Sequence, residues 1–265
     1  MQIQDALKSD SLRVDVENGI ATITIDRPRR KNAMTQAMWQ SLPGIIDDLT
    51  AAASSRVIIL TGSGADFCAG ADIGEFDAVR GDAASARVYE TYNSAAFAAV
   101  RNCAIPVIAA IRGICFGGGF GLAAACDLRL ATPDAVFSVP AAKLGLAYPV
   151  DAMADIVNAV GPQMARYLAY SAARLDASAA LRAGFVMEVV SGDLDARAGE
   201  IATTIARNAP LSIRASKASI QAVLSGESGD AALAGEFGDK TFESADYAEG
   251  RAAFRDKRPP VFRGI

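Results

Sequence analysis

Two short glycine-rich segments, each following an apolar run, constrain this chain most. The first is Phe67–Ile73, which follows the run 57–60, and the second is Gly113–Gly121, which follows the run 107–111. Backbone without bulky side chains at a helix start leaves N–H groups free, so each segment can point amides at a ligand. Two such segments that meet can bind one developing oxyanion, which is a catalytic device that needs no reactive side chain.

The composition limits the class of protein. The chain has 265 residues, of which 51% are hydrophobic, so it can bury the core of one large domain or of a domain with an appendage. Its net charge of −4 gives no general reason to bind nucleic acid or an acidic membrane surface. Basic residues cluster at 27–31 and 251–258, which favours either solvated surfaces or contacts with a phosphate-rich small ligand.

Histidine is absent from the sequence. The chain therefore has neither a Ser-His-Asp nor a Cys-His catalytic arrangement, and it has no zinc site with histidine ligands, so we expect no metal centre. Any proton transfer must use a carboxylate, tyrosine, lysine, cysteine, the substrate or water.

The cysteines and the absence of targeting signals predict a compartment. Four cysteines lie in apolar or glycine-rich surroundings without CxxC spacing, which predicts free and mostly buried thiols in a reducing environment. The first residues lack the basic and apolar regions of a signal peptide, and no apolar run reaches the roughly 20 residues of a membrane-spanning helix. We expect a cytoplasmic protein with no membrane partner.

Hydrophobic periodicity predicts an α/β core followed by helices. Alternation about Asn18-Gly19 predicts a β-hairpin, and Thr35 can cap a helix that we expect to bend or break at Pro43. Helical patterns predominate after about Val190, so we divide the chain into a core over 1–195 and a helical region over 196–265. A long helix is also predicted over 83–102, with an inward face made of Val88, Tyr92, Ala95, Ala96, Ala99 and Val100.

Several motifs, in this order and spacing, resemble the crotonase (enoyl-CoA hydratase/isomerase) superfamily. They are residues 26–34 (DRPRRKNAM), 67–73 (FCAGADI), 113–122 (GICFGGGFGL), 126–129 (CDLR), 137–140 (FSVP) and 247–254 (YAEGRAAF). The resemblance covers nearly the whole chain. It implies a crotonase-like α/β spiral of β-β-α units, with a C-terminal helical region that mediates trimerisation in a homotrimer or a dimer of trimers.

The resemblance also implies a substrate and a site. The substrates would be acyl-CoA thioesters, with coenzyme A entering as part of the substrate and not as a permanently bound cofactor. The thioester oxygen would lie between the backbone N–H groups of Ala71 and Gly118, where one such donor contributes about 2.7–4 kcal/mol in other enzymes. The implied coenzyme A contacts are Arg29, Lys31, Ala33, Ala69, Asp72, Ile73, Gly117 and Lys257. Asp72 also begins a helix and can cap it.

The sequence departs from a hydratase at both catalytic glutamates that the resemblance implies. One glutamate would stand at Gly121 and the other at Ala141, and neither glycine nor alanine can position or deprotonate water. The carboxylate of the family's single-acid isomerases would stand at Pro149. We therefore expect hydration by the two-glutamate mechanism to be slow or absent.

Two polar residues remain near the implied acyl pocket. Tyr148 matches an active-site tyrosine of methylmalonyl-CoA decarboxylase, where it could orient a departing carboxylate, but it is also an ordinary residue for a loop that contains Pro149. Asp151 is a candidate catalytic acid, although a capping role at a helix over 152–160 is the favoured interpretation.

Several functions therefore stay open. The first is a hydratase/isomerase-type enzyme with an unconventional acid such as Asp151. The second is a malonyl-type thioester decarboxylase that relies on the oxyanion hole and Tyr148, and the third is a non-catalytic acyl-CoA binder. Residues 119–124 also match the G-x-G-x-x-A fingerprint of a dinucleotide-dependent oxidoreductase, but no acidic residue follows at the required spacing, and we interpret the match as chance.

Overall fold

Two sheets form the centre of the molecule. The computed structural model describes residues 11–52 and 55–265. The strands of the larger sheet, in spatial order, are β1 Leu12–Glu17, β2 Ile20–Ile25, β3 Val57–Gly62, β4 Val107–Ile111, β6 Leu128–Ala131 and β9 Glu188–Val189. The smaller sheet contains β5 Ile114–Phe116, β7 Val136–Ser138 and β8 Arg174–Asp176 in that order.

Helices surround these sheets. In chain order they are α1 Gln36–Ala51, α2 Phe76–Val79, α3 Ala83–Arg101, α4 Gly118–Ala125, α5 Val150–Ser171, α6 Ala177–Arg182, α7 Leu194–Ala206, α8 Pro210–Ser225, α9 Ser228–Glu243 and α10 Ala245–Asp256. The predicted hairpin is present, with β1 antiparallel to β2 and with Asn18 and Gly19 at positive φ. In the described residues, no helix combines the length and the apolar character needed to cross a membrane.

The parallel part of the larger sheet is covered on both faces. Every residue of β3 and of β4 is buried, as expected for parallel strands between two layers of helices. One cluster joins Ile58 and Leu60 to α1 and α3, and a second cluster joins Val57 and Ile59 to α7. The boundary drawn at residue 195 therefore falls within a helix that packs on the sheet, and α8–α10 follow it.

Helix α1 differs from its prediction. Thr35 caps it, since its hydroxyl accepts a hydrogen bond from the N–H of Met38 at 3.3 Å. The helix continues past Pro43, so of the bend or break expected there, the break does not occur. An internal proline costs about 3 kcal/mol, and the burial of Leu42 and Ile45 on either side offsets that cost.

Helix α3 has the predicted length, and Tyr92, Ala96, Ala99 and Val100 of its predicted inward face do pack in or against the core. Val88 is 51% exposed and Ala95 is exposed, whereas Tyr89 and Phe97 are buried. The ring of Phe97 meets Trp39 of α1 edge to face, with centroids 5.7 Å apart. Because aromatic rings bury more apolar area than valine or alanine, Tyr89 and Phe97 take the buried positions beside Ala96 and Val100, and the prediction was wrong for Val88 and Ala95 alone.

Candidate active site

The two glycine-rich segments meet as the sequence suggested. The backbones of Cys68 and of Cys115 in β5 form a parallel β-bridge. In it, the N–H of Phe116 donates to the carbonyl of Cys68 at 2.9 Å. The chain then turns into α4 at Gly117, whose φ of +54° favours glycine. A Cβ on Gly70 would lie only 3.0 Å from the nitrogen of Gly118, so the first segment can approach α4 this closely only with glycine at that position.

Two backbone amides are left without partners where these segments meet. Ala71 pairs with Met34 in a parallel bridge that uses the carbonyl of Gly70 and the N–H of Asp72, so the N–H of Ala71 points away from the bridge. Gly118 is the first residue of α4, where N–H groups have no intrahelical acceptor. Neither amide donates a hydrogen bond to any residue that the structure describes. A Cβ built on Gly118 would lie 3.7 Å from the nitrogen of Ala71, so the two amides lie close together.

Both amides border a cavity of about 130 Å³. Residues 69–71 and 117–118 form one wall, and residues 140–141 and 146–149 form another. One face of α3 forms a third wall through Glu90, Asn93 and Phe97, while Ile73 lies at the edge and is 61% exposed. The cavity is therefore mostly apolar, with a small number of polar groups, as is usual for a site that binds a small organic molecule.

Tyr148 lies in this cavity with a buried hydroxyl. The hydroxyl has no hydrogen-bond partner among the described residues, and it lies 3.8 Å from the position that a Cβ would take on Gly117. Burial raises the pKa of Tyr148 well above its usual value. The side chain is therefore a neutral phenol that can donate or accept one hydrogen bond next to the free amides.

Asp151 is not among the residues that line the cavity. Its carboxylate accepts a hydrogen bond from the hydroxyl of Ser94 at 3.3 Å. The capping role predicted for it is wrong, because α5 begins at Val150 with Pro149 in the N-cap position and no side-chain cap. Proline at φ −63° starts the helix earlier than predicted and leaves Asp151 in the first turn, where its charge still interacts favourably with the helix dipole.

The basic segment at 29–33 lies directly beside the first glycine-rich segment. The N–H of Ala69 donates to the carbonyl of Lys31 at 2.9 Å, and Ala33 is buried. Arg29 and Lys31 are exposed, and neither forms an ion pair within the described part of the chain. Their positive charges are therefore available at the rim of the site.

An ion pair fixes this arrangement. Arg27 contacts the carboxylate of Asp72 at 2.8 Å, and the N–H of Gly74 also donates to that carboxylate, so Asp72 caps the turn that follows it. Burial alone would raise the pKa of Asp72, but the hydrogen bond and charge of Arg27 outweigh it and hold the pKa below its usual value. The sequence predicted this cap.

Several of the predicted coenzyme A contacts do not line the cavity, namely Arg29, Lys31, Ala33, Asp72 and Lys257. Lys257 follows α10 with φ +53° and is exposed. Ala69 and Gly117, by contrast, both belong to the cavity wall.

The cysteines are structural. Cys68, Cys103, Cys115 and Cys126 are free and buried. Burial raises the pKa of Cys68 and of Cys126 to about 12, and it raises that of Cys115 well above its usual value. These three remain thiols at neutral pH and are not nucleophiles.

The fingerprint-like glycines lie inside α4 and not in a strand-to-helix turn. A Cβ on Gly119 would lie 2.3 Å from the carbonyl oxygen of Cys68, and one on Gly121 would lie 2.8 Å from the ring of Phe97. Glycine at both positions is explained by close packing, so no dinucleotide-binding role is needed to account for them.

Sequence reasoning missed the part of the cavity formed by α2 and α3. Arg80, Glu90 and Asn93 line the cavity, and Glu90 is the single acidic side chain among the described lining residues. Arg80 lies over the rings of Phe76 and Tyr89, 4.8 and 5.0 Å from their centroids. The available signal was the spacing of Glu90 and Asn93 from Phe97, which places all three on one helical face.

Known protein families and relatives match nearly the whole chain, in agreement with the resemblance of its motifs. The sequence profile of the enoyl-CoA hydratase/isomerase family matches residues 15–264. The chain is 32% identical to a short-chain-enoyl-CoA hydratase from Clostridium acetobutylicum (95% of this chain, 97% of the relative) and 32% identical to a mevalonyl-coenzyme A hydratase from Aspergillus fumigatus (92% and 91%).

Solved structures agree with the predicted crotonase-like fold. An enoyl-CoA hydratase/carnithine racemase from Magnetospirillum magneticum superposes with a TM-score of 0.90 at 37% identity, covering 97% of each chain. An enoyl-CoA hydratase from Bacillus anthracis gives a TM-score of 0.90 at 30% identity, covering 97% of this chain and 100% of that one. The chain therefore belongs to the enoyl-CoA hydratase/isomerase family.

Proposed function

We propose that this acyl-CoA-processing enzyme stabilises a thioester enolate between the N–H groups of Ala71 and Gly118. The observation that carries the proposal is the presence of two unbonded amides, from separate segments, on the wall of one cavity. Unpaired backbone donors are costly to bury, so their place beside a cavity favours a bound acceptor. Negative charge that develops on a thioester oxygen is such an acceptor, and the N-terminus of α4 adds its helix dipole.

The proposed chemistry does not include two-glutamate hydration. Gly121 and Ala141 supply no carboxylate, and the ring of Phe97 occupies the space next to Gly121. A side chain added at Gly121 would therefore meet Phe97 before it could reach a water molecule. This supports a reaction in which the enolate forms and is protonated without a water molecule held between two carboxylates.

The nucleotide part of coenzyme A would bind at the basic rim. Arg29 and Lys31 are exposed and have no ion-pair partner in the described residues, and their segment is hydrogen-bonded to the wall of the cavity. Charge-assisted contacts with phosphate are stronger than neutral hydrogen bonds. Ala33, Asp72 and Ile73 would shape the same rim.

Lys257 would complete this binding site from a neighbouring subunit. It lies outside the cavity of its own chain, and several large apolar side chains on and after the last three helices are exposed. Exposed apolar surface of this extent is typical of an interface. The side chains are Ile220, Val223, Leu224, Phe242, Phe254 and Val261. We infer a homotrimer or a dimer of trimers in which the helical region forms the contacts.

Decarboxylation of a malonyl-type thioester is a second candidate, favoured by the position of Tyr148. Its buried hydroxyl has no partner and lies beside the free amides. Loss of CO₂ leaves an enolate without the need for a base, and the tyrosine would orient the departing carboxylate.

One binding measurement and two rate assays test the proposed function. Affinities for coenzyme A and for butyryl-CoA are measured by calorimetry, followed by rates of crotonyl-CoA hydration and of CO₂ release from methylmalonyl-CoA. We expect micromolar or tighter binding of thioesters and hydration far below that of a two-glutamate hydratase. Failure to bind any thioester, or hydration as fast as in such a hydratase, would contradict the proposal.

A further inference from the structure

We propose that Glu90 is the carboxylate that transfers protons at the acyl group. It would replace the two hydratase glutamates, whose positions are occupied here by Gly121 and Ala141. The inference rests on the proposed function, because it requires the enolate to form at the amides of Ala71 and Gly118. It adds a catalytic side chain from α3, an element that contributes none of the residues predicted from the sequence.

The geometry of α3 supports this role. Glu90, Asn93 and Phe97 stand at positions i, i+3 and i+7, so they share one face of the helix, and all three line the cavity. Phe97 packs this face of α3 against α4. Its ring lies against Gly121 of α4, the helix whose first residue is Gly118. Asn93 and Glu90 follow one and two turns further along the wall, where the acyl group extends from its thioester.

The same face explains why a glutamate at position 121 is absent. A Cβ there would lie 2.8 Å from the Phe97 ring, so α3 fills the volume that such a side chain needs. Helix α3 therefore excludes a carboxylate at position 121 from the cavity and contributes the carboxylate of Glu90 instead.

The burial and the missing partners of Glu90 are those expected of a side chain that binds a ligand. It is half-buried, and it forms no hydrogen bond or ion pair with any described residue. A structural glutamate at this depth would be paired, since partial burial of an unpaired carboxylate is unfavourable. Other half-buried carboxylates have partners, such as Asp72 with Arg27 and Glu249 with Arg258.

Two neighbouring polar atoms also lack partners. The side-chain oxygen of Asn93 and the hydroxyl of Tyr148 are buried on the wall of the same cavity without a hydrogen bond. Orphaned polar atoms are rare in folded proteins, and their convergence on one cavity indicates that a ligand satisfies them. Glu90 thus belongs to a polar group that faces the acyl part of the substrate.

The proposed step is a reversible proton transfer. The carboxylate of Glu90 takes a proton from the carbon next to the thioester carbonyl. The electron pair of that C–H bond forms the C=C bond of the enolate, and the carbonyl π pair moves onto the oxygen held by the two amides. Glu90 then returns a proton to the same carbon or to a carbon further along a conjugated chain, which gives exchange or isomerisation with no oxidant or water consumed.

Deuterium exchange into butyryl-CoA tests this step directly. The saturated chain can be neither hydrated nor decarboxylated, so deuterium incorporated next to the carbonyl in D₂O, measured by mass spectrometry, reports proton transfer alone. We expect exchange by the wild type and a loss of about 100-fold or more in Glu90→Gln, with the dissociation constant for butyryl-CoA unchanged within threefold. The exposed residue Glu236 supplies the matched control, Glu236→Gln, which should exchange like the wild type.

The possible outcomes separate the inference from the function on which it rests. Undiminished exchange in Glu90→Gln, or a wild type that binds butyryl-CoA without exchange, would overturn the role of Glu90. If Ala71→Pro abolishes exchange while Glu90→Gln does not, the amides remain the enolate site and the proton carrier is a different group. A wild type that does not bind butyryl-CoA would contradict the proposed function itself.

Discussion

Ala71 contributes a backbone N–H and not a side chain, so a test at this position must remove the amide hydrogen. We expect Ala71→Pro to lower turnover of an acyl-CoA substrate by about 10²–10³-fold, because one oxyanion donor is lost. Ala71→Ser retains the amide and serves as the control, with near wild-type rates. The measurement is steady-state kinetics on variants whose folding is verified by circular dichroism, and wild-type turnover in a folded Ala71→Pro would contradict the assignment.

Gly118 is the less suitable position for the same test. A Cβ there would lie 2.9 Å from the indole of Trp39, so any substitution disturbs the core as well as the amide. The family resemblance implied both positions, but the contact between Gly118 and Trp39 could not be predicted from the sequence, because it depends on how α1 packs against α4.

Tyr148 offers a test that separates stability from function. Its hydroxyl is buried without a partner in the described residues, which is unfavourable, so Tyr148→Phe should leave the free energy of unfolding unchanged or raise it by about 1–3 kcal/mol. Turnover should fall by about tenfold or more if the hydroxyl binds the acyl group. Urea denaturation and CO₂ release from methylmalonyl-CoA measure the two quantities, and unchanged CO₂ release would remove this residue from the decarboxylation mechanism.

At the scale of elements, the contact between α3 and α4 determines the shape of the site. Gly121→Ala places a methyl group 2.8 Å from the Phe97 ring, and we expect a loss of about 1–3 kcal/mol in the free energy of unfolding. Gly238→Ala is the matched control, since it also lies within a helix but faces open space, and it should be neutral or stabilising. Chemical denaturation of both variants measures the difference, and equal stabilities would show that α3 and α4 do not pack closely.

The elements themselves were largely predictable, but their contacts were not. Turn residues and hydrophobic periodicity located the hairpin, the long helix α3 and the helical region that follows the core, because these signals are local. The burial of Phe97 on α3 was not predicted, since it follows from the fit of its ring against Trp39 and Gly121, which are distant in sequence. The side of the cavity that contains Glu90 was missed for the same reason.

At the scale of the whole molecule, a buried ion pair between α3 and α5 makes stability depend on pH. Arg101 contacts the carboxylate of Asp155 at 2.6 Å, and Asp155 is 4% exposed. Burial, opposed by the charge of Arg101, raises the pKa of Asp155 from 3.8 to about 6. The folded state therefore holds this proton more tightly than the unfolded state, and the contribution of Asp155 to stability falls as the pH rises from about 4 to 6.

A substitution isolates this effect. Relative to the wild type, Asp155→Asn should become progressively more stable as the pH rises from 4.5 to 7.5, because asparagine does not ionise. Asp195→Asn, at an exposed ion pair with Arg112, is the control and should show a much smaller trend. Urea denaturation at several pH values gives the comparison, and a pH-independent difference for Asp155→Asn would contradict the raised pKa.

A crystal structure of the protein with bound butyryl-CoA tests the central claim most directly. The distances from the thioester oxygen to the backbone nitrogens of Ala71 and Gly118 are the quantities to measure. We predict that both lie in the range of about 2.7–3.1 Å. A thioester oxygen that faces away from these nitrogens, or that reaches one of them alone, would contradict the account.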